Sequence, residues 1–316
     1  MAEELSFNLS DPRFQDPLVA AEYLESLRWP DGPVCPHCGE GERKPYRLKS
    51  KTRRLWKCAA CRKQYTVTVG TIFEGSHIGL DKWLAAFSLL CSSKKGMSAH
   101  QLHRMLDITY KSAWFMAHRI RYAMQQPPFQ SRLTGTVEVD ETYVGGKVRN
   151  KKKRDRQNQI GRGVGKTPVV SLVQRGGEVR SFRTANVTAK TLHSAVMDHV
   201  DRSARLITDA YPAYKNLAKV YERHDVINHQ DYEYVLGDIH TNTVEGYFSI
   251  LKRGITGVYH HVSPAHLPRY LAEFDFRYNT RTKAGYTDGA RTVKALTQVS
   301  GKRLRYAETR GGQAEA

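Results

Sequence analysis

Two sets of residues in this chain have the types and spacings to do chemistry. Four cysteines pair as Cys35-Pro-His-Cys38 and Cys58-Ala-Ala-Cys61, with nineteen residues between the pairs. Each CxxC turn can offer two thiolates to one ion, and zinc takes four soft ligands in a tetrahedron, so this spacing reads as a structural zinc ribbon. A redox CxxC would need one pair beside a βαβ unit, and in a reducing compartment two such pairs read as metal ligands rather than disulfides. His37 lies between two ligands and reads as a turn residue. The second set is acidic: Asp140 inside "TVEVDETYV", Asp209 at the end of "ARLITDAY", and Glu245 in "HTNTVEGYFSILKRG".

Each carboxylate has an ordinary reading. Asp140 and Asp209 interrupt apolar, β-branched stretches, where an unpaired charge is rarely buried. Either can be a strand-end or turn residue. Yet an Asp at the C-terminal end of a central strand is well placed for a site, because crevices in helix-covered sheets open there. Glu138 shares a strand face with Asp140 and reads as its neighbour, while Glu141 points to the other face. Glu245 follows Asn242 by three residues, as in a capping-box-like helix start with Asn242 as N-cap. That role is compatible with metal binding. Three carboxylates from two strands and one helix suit magnesium or manganese, which take oxygen ligands and leave room for phosphate and water. Two such ions serve in-line displacement at phosphorus without a covalent protein nucleophile.

The elements that must position these residues are visible as changes of period. A helical lead-in covers 10–28. Residues 33–70 carry turns, cysteines and short strands such as "RLWKC" and "QYTVTVG". Three helical pieces follow in 81–124: "DKWLAAFSLLCSS", "SAHQLHRML" and "YKSAWFMAHRIRYAM". Pro127 and Pro128 then break the chain. From 135 the pattern becomes three strands, helix, strand, helix, strand and helix, with a turn at Arg175-Gly176-Gly177. A meander followed by crossovers predicts a mixed sheet covered by helices. Val244, Tyr247, Leu251 and Ile255 share the helix face that packs on that sheet. Cys91 ends an apolar stretch and belongs in a core. The residues from 300 read as a fraying tail.

The 316 residues carry a net charge of +19, which calls for a polyanionic partner, with nucleic acid first and an anionic membrane surface second. No apolar run approaches the roughly 18 residues that span a bilayer. The polar, acidic N-terminus is no secretory signal, so the expected location is the cytoplasm, associated with DNA. Arg53, Arg54 and Lys57 lie in a basic segment between the cysteine pairs, with Tyr46 and Trp56 interleaved. The helix pair joined at "DITY" fits a helix-turn-helix in which Leu102, Met105 and Leu106 pack inward and Ser112, His118, Arg119 and Arg121 face outward. Lys151, Lys152 and Lys153 lie in a basic loop, and Arg253 follows Lys252. "GRGVGKT" at 161–167 is not a P-loop: Ile160 stands where the first glycine belongs, and no strand precedes it.

"VDETYVGG", "TDAYPAY" and "HTNTVEGYFSILKRG" closely resemble DDE insertion-sequence transposases of the branch with an N-terminal zinc ribbon. The thirty-five residues between Asp209 and Glu245 match a spacing common in that family. The resemblance implies a ribonuclease-H-like α/β fold, a mixed sheet flanked by helices, with Asp140, Asp209 and Glu245 as the metal-binding triad. Lys252, seven after Glu245, matches the family's basic residue near donor DNA. Some members of the branch use Asn as third ligand, which leaves Asn242 as an alternative or companion to Glu245. His240 would line the site or serve the helix entry.

The implied partner is double-stranded DNA, both terminal inverted repeats and target, with a homodimer on paired ends. The domains read as lead-in 1–30, zinc ribbon 31–75, helix-turn-helix-like 76–130, catalytic 131–285 and basic tail 286–316. The rival functions are a metal-dependent nuclease without strand transfer and a zinc-containing DNA-binding regulator with an inactive nuclease-like domain.

Overall fold

The computed structural model describes residues 8, 10–125, 131–146, 163–228 and 237–310. They fall into two compact units. The first joins the N-terminal 125 residues to the segment from 285, and the second runs from 126 to 284.

In the first unit, α1 (Pro17–Arg28) starts at Asp16, whose carboxylate accepts the amides of Leu18 and Val19, with Pro17 at the first helical position. Strands β1 (Tyr46–Leu48), β2 (Leu55–Lys57) and β3 (Gln64–Tyr65) form an antiparallel sheet in that order. Three helices follow: α2 (Leu80–Ser92), α3 (Ala99–Leu106) and α4 (Tyr110–Met124). Thr109 caps α4 through the amide of Ser112, and Asp107 ends α3 in the left-handed conformation, so the "DITY" turn is built as a helix connection.

Leu102 and Leu106 of α3 are buried, as are Ala113, Met116 and Ile120 of α4. Met105, expected in that contact, is 48% exposed. A larger correction concerns the outer face of α4. His118, Arg119 and Arg121 are buried, not presented to solvent. Arg119 donates to the carbonyls of Glu74 (2.7 Å) and Leu304 (3.2 Å) and stacks on Phe115, so its charge is satisfied inside the unit. Arg119 and Arg121 therefore do not offer DNA contacts. On α3 and the first turn of α4, Arg104, Tyr110 and Lys111 are exposed instead.

The second unit holds a five-stranded sheet. Strands β4 (Thr136–Val144), β5 (Thr167–Gln174) and β6 (Val179–Arg183) form an antiparallel meander. Helix α5 (Ala189–His199) then leads to β7 (Arg205–Asp209), and a 3-10 helix at Pro212–Lys219 leads to β8 (Arg223–Ile227). Both β7 and β8 run parallel to β4, giving the order β6-β5-β4-β7-β8. This mixed sheet is the ribonuclease-H-like arrangement that was expected. Helices α6 (Asn242–Gly254) and α7 (Leu267–Asn279) cover one face, and a short π-helical stretch, Ile255–Tyr259, continues α6.

Alternation along the strands sorts two cores. Val169, Val173 and Val179 pack under Val244, Tyr247, Leu251 and Phe274. Val137, Val139, Val170 and Leu172 pack on the opposite face with Leu192, Val196 and Tyr214. A large apolar side chain fully buried in this way contributes about 1.5–3 kcal/mol, which holds α6 flat on the sheet.

The region from 286, read as a basic tail, contains α8 (Asp288–Thr297) and a short α9 (Tyr306–Arg310). Helix α8 packs on α2 and α1, with Ala295 and Leu296 buried. Arg291 donates to the Cys91 carbonyl at 2.8 Å, and the amide of Ile72 donates to Val299. The apolar period of "DGARTVKALT", not its charge, decides its fate. No helix among the described residues is long and apolar enough to cross a membrane.

Candidate active site and metal centre

The four cysteines converge. One ligand atom from each of Cys35, Cys38, Cys58 and Cys61 lies within 4.8 Å of the others. The sulfurs of Cys35 and Cys61, and of Cys38 and Cys58, are 3.7 Å apart. That is far beyond a disulfide bond and close to the edge, about 3.8 Å, of a tetrahedron with zinc–sulfur bonds of about 2.3 Å. The two knuckles are built alike. The residue after each second cysteine, Gly39 or Arg62, has positive φ (76° and 64°), and the amides of Cys35 and Cys58 bond back to the carbonyls of Glu40 and Lys63. The set suits a structural zinc. Arg54, expected on DNA, is instead paired with Glu25 at 2.8 Å and Glu22 at 3.3 Å, while Arg53 is exposed and Lys57 half-buried.

The acidic site grows from the register of β4. Val139 pairs with Thr208 across the parallel ladder, so the next residues, Asp140 and Asp209, are side by side on neighbouring strands and face the same way. That face is the one under α6, because Glu138, two residues before Asp140, meets the start of α6 directly. Glu138 is fully buried. Its carboxylate accepts the amides of Thr243 (2.8 Å) and Val244 (2.9 Å) and the Thr243 hydroxyl (2.7 Å). The Nε of Arg175 donates to the same carboxylate at 2.7 Å. The Arg175 fork also donates to the carbonyls of Asp238 and His240. Thus the strand that carries Asp140 caps the helix that carries Glu245.

This replaces the capping box expected from the sequence. Asn242 is exposed at the first helical position, and Thr241 stands where the N-cap belongs. Glu245 Oε1 accepts the Thr241 hydroxyl at 2.9 Å. The orphan amides of the first turn go to Glu138, an anion placed where the helix dipole favours one. His240 sits beside Arg175 (3.0 Å) at the helix entry, away from the pocket lining.

Glu245 and Lys252, two turns apart on α6, open onto a pocket of about 580 Å³ that Asp140, Tyr143, Phe248 and Lys166 also line. Asp209 and Asn242 are not in that lining. Burial, with the nearby charges of Glu141, Asp209 and Glu245, pushes the Asp140 carboxyl up to about 8, against a pull downward from the Glu141 amide. Asp140 therefore lies within reach of the charges of both other acids. Such mutual repulsion is relieved by a divalent cation, and the donor set is all oxygen, which fits magnesium or manganese. Among the described residues, the only ligand group closed to within 4.8 Å is that of the cysteines, so the carboxylates are near neighbours rather than a finished cage. Glu141 is on the opposite face, as expected, and accepts the Tyr214 hydroxyl at 2.8 Å.

Comparison with known proteins agrees with this division of the chain. Residues 132–279 match an ISXO2-like transposase domain and residues 19–64 a transposase zinc-ribbon domain. The chain is 31% identical over 281 residues to an uncharacterized protein in transposable element ISH50 of Halobacterium salinarum, covering 84% of this chain and 92% of that protein. The chain belongs to the ISXO2-like transposase family. Among solved structures, a simian T-cell lymphotropic virus intasome bound to PP2A regulatory subunit B56 gamma aligns with 60% of this transposase and 64% of that chain. Its identity is 14% and its TM-score 0.27, a likeness too slight to carry an argument.

Two residues of this region escape a reading of sequence alone. Arg175 falls in a glycine turn with nothing local to mark it as the partner of Glu138. Lys166 falls in the rejected P-loop-like stretch, and leads into strand β5 rather than a helix. Lys252 and Arg253 are both exposed on α6. Lys151, Lys152 and Lys153 lie outside the described residues.

Proposed function

We propose that the chain is a DNA transposase that cuts a phosphodiester at the element's end and joins the freed 3′-OH to target DNA. The observation that carries the reading is the placement of Asp140 beside Asp209 on the sheet face under α6, with Glu245 and Lys252 opening onto the same pocket as Asp140. Asp140, Asp209 and Glu245 would hold magnesium or manganese, which when bound supplies Lewis acidity at the phosphoryl oxygens and a more acidic attacking water. Asp140, between the other two acids, is the natural shared ligand. Glu245 completes the set from α6, and the Thr241 hydroxyl orients its carboxylate. Lys252 neutralises a phosphate near the cut. In the first displacement a water oxygen bonds to phosphorus and the 3′-oxygen leaves as the new strand end. In the second that 3′-OH attacks a target phosphodiester and the target's own 3′-oxygen leaves. The N-terminal ribbon and the exposed side chains of α3 and α4 would bind terminal repeats, with zinc holding the ribbon.

The test is Glu245→Gln and Asp140→Asn, incubated with an element-end duplex in Mg²⁺ or Mn²⁺. Both should fold and bind the duplex but lose cleavage by on the order of 10²-fold or more. Cleavage at the wild-type rate in both variants would sink the assignment. Survival in Glu245→Gln alone moves the third-ligand role to Asn242, tested by Asn242→Ala. Joined products from the wild type separate a transposase from a plain nuclease.

A further inference from the structure

The segment 163–166, left without a role by the family signatures, is built to hold a lysine at the acidic pocket. The Lys166 amide closes a turn onto the Gly163 carbonyl at 3.0 Å. Gly163, at φ +78°, lies against Tyr143, and a Cβ there would fall 2.2 Å from the ring. Gly145 opposes Lys166 one step beyond the Val144–Thr167 pair, and a Cβ on it would lie 3.3 Å from the Lys166 Cα. The approach at Gly163 requires glycine, and that at Gly145 is tight, with a φ of +152° that also favours glycine. They fix the Lys166 backbone between the end of β4 and the Tyr143 ring, so the residue lines the pocket.

The charges around that pocket point to what the lysine meets. Asp140 and Glu245 line it together with two ammonium groups, Lys166 and Lys252. Among the described residues, Lys166 makes no ion pair, and Lys252 is recorded only over the Phe248 ring at 6.0 Å. Other partly buried cations among the described residues have protein partners: Arg54 pairs with Glu25, Arg175 with Glu138, Arg205 with Asp225 and Arg291 with Asp288, while Arg28, Arg119 and Lys302 donate to backbone carbonyls. An ammonium kept off carboxylates that share its pocket is open to an outside anion. Lys252 comes from α6 and Lys166 from the step before β5, so the two reach the pocket from different elements.

We propose that Lys166 is a second phosphate-contacting residue, which grips the DNA strand being cut from a different element than Lys252. The ligand is a backbone phosphodiester, which a lysine meets as a point charge. The site differs from a P-loop because a side chain, not a helix N-terminus, meets the phosphate. The inference rests on the transposase reading for the identity of the strand.

The test compares Lys166→Met and Lys166→Arg with wild type on the element-end duplex. Binding is followed by fluorescence anisotropy without divalent metal across a salt series, and cleavage is measured separately in Mg²⁺. Losing one phosphate contact should lower the slope of log K against log salt by about 1 in Lys166→Met and leave it unchanged in Lys166→Arg. Cleavage by Lys166→Met should fall about 10²-fold, and Lys166→Arg should restore much of it. If Lys166→Met melts below wild type, Lys166→Gln, which keeps a polar tip, is read in the same assays. A wild-type slope together with wild-type cleavage in the neutral variants overturns the assignment. Wild-type protein that binds but never cleaves overturns the transposase reading instead, while the slope still decides Lys166.

Discussion

Replacing Glu138 with Gln should cost far more than a buried carboxylate-to-amide change of equal shape usually does. One oxygen of Glu138 accepts two backbone amides, Thr243 and Val244, and the other accepts Arg175 and the Thr243 hydroxyl. Gln has a single acceptor oxygen. Facing it toward α6 turns its NH₂ against the Arg175 guanidinium, and flipping it turns the NH₂ against two amide donors. Either way buried donors are orphaned. Hydrogen bonds to charged groups contribute about 1.5–3 kcal/mol each, and breaking a buried pair by removing one partner costs about 3–5 kcal/mol. A loss of roughly 3–5 kcal/mol corresponds to about 10 °C in the melting of a domain this size.

Urea unfolding gives the free energy, and hydrogen exchange at the Thr243 and Val244 amides gives its location. Those two amides should lose protection before the sheet does. If the transposase reading holds, the half-saturating Mn²⁺ concentration for cleavage should rise about 10–100-fold, as when an outer partner of a ligand is removed. The reasoning is refuted if stability falls by less than about 1 kcal/mol and both amides stay protected.

Further consequences can be measured directly. The purified chain should carry one zinc, and Cys38→Ser should release it and unfold the ribbon while the unit spanning 126–284 keeps its melting transition. Asp275 is half-buried, and desolvation pushes its carboxyl up to about 7 from an ordinary 3.8, despite bonds from the Ser181 amide and hydroxyl and from Tyr247. The folded state therefore holds this proton more tightly than the unfolded chain. The stabilisation is complete below about pH 4 and lost as the pH climbs to about 7. Against wild type, Asp275→Asn should gain stability across that interval by at most about 4 kcal/mol, and a pH-independent difference would contradict it. Arg291→Ala removes the bond from α8 to the Cys91 carbonyl and should lower the stability of the first unit by about 1–3 kcal/mol, read by urea unfolding.

The regular elements of both units were legible because their residues carry their own periods. "TPVVSLVQ" and "YKSAWFMAHRIRYAM" coincide with β5 and α4, and the alternation in "TVEVDETYV" already separated Asp140 from Glu141 by face. What escaped depends on partners far away in the chain. Arg119 and Arg121 look like surface charge, since arginine is seldom buried, yet tertiary carbonyls accept from Arg119. Glu138 looks like one more acid, and its role exists only because α6 arrives 105 residues later. Asn242 looked like a cap because Asn favours that place, but a carboxylate reaching from β4 took over the amides. Helix α8 was legible in principle: Thr287 caps it through the Ala290 amide, and its apolar residues recur at helical spacing. The surrounding basic charge obscured it.

The fold-back of α8 bears on how the polypeptide is made. The first unit draws helix α8 from chain synthesised after every residue of the five-stranded sheet. A nascent chain stalled or cleaved before residue 285 would leave the sides of α1 and α2 that pack on α8, Cys91 among them, without that cover. Such fragments should be sticky and short-lived, so the amino-terminal half matures only once synthesis has passed α8.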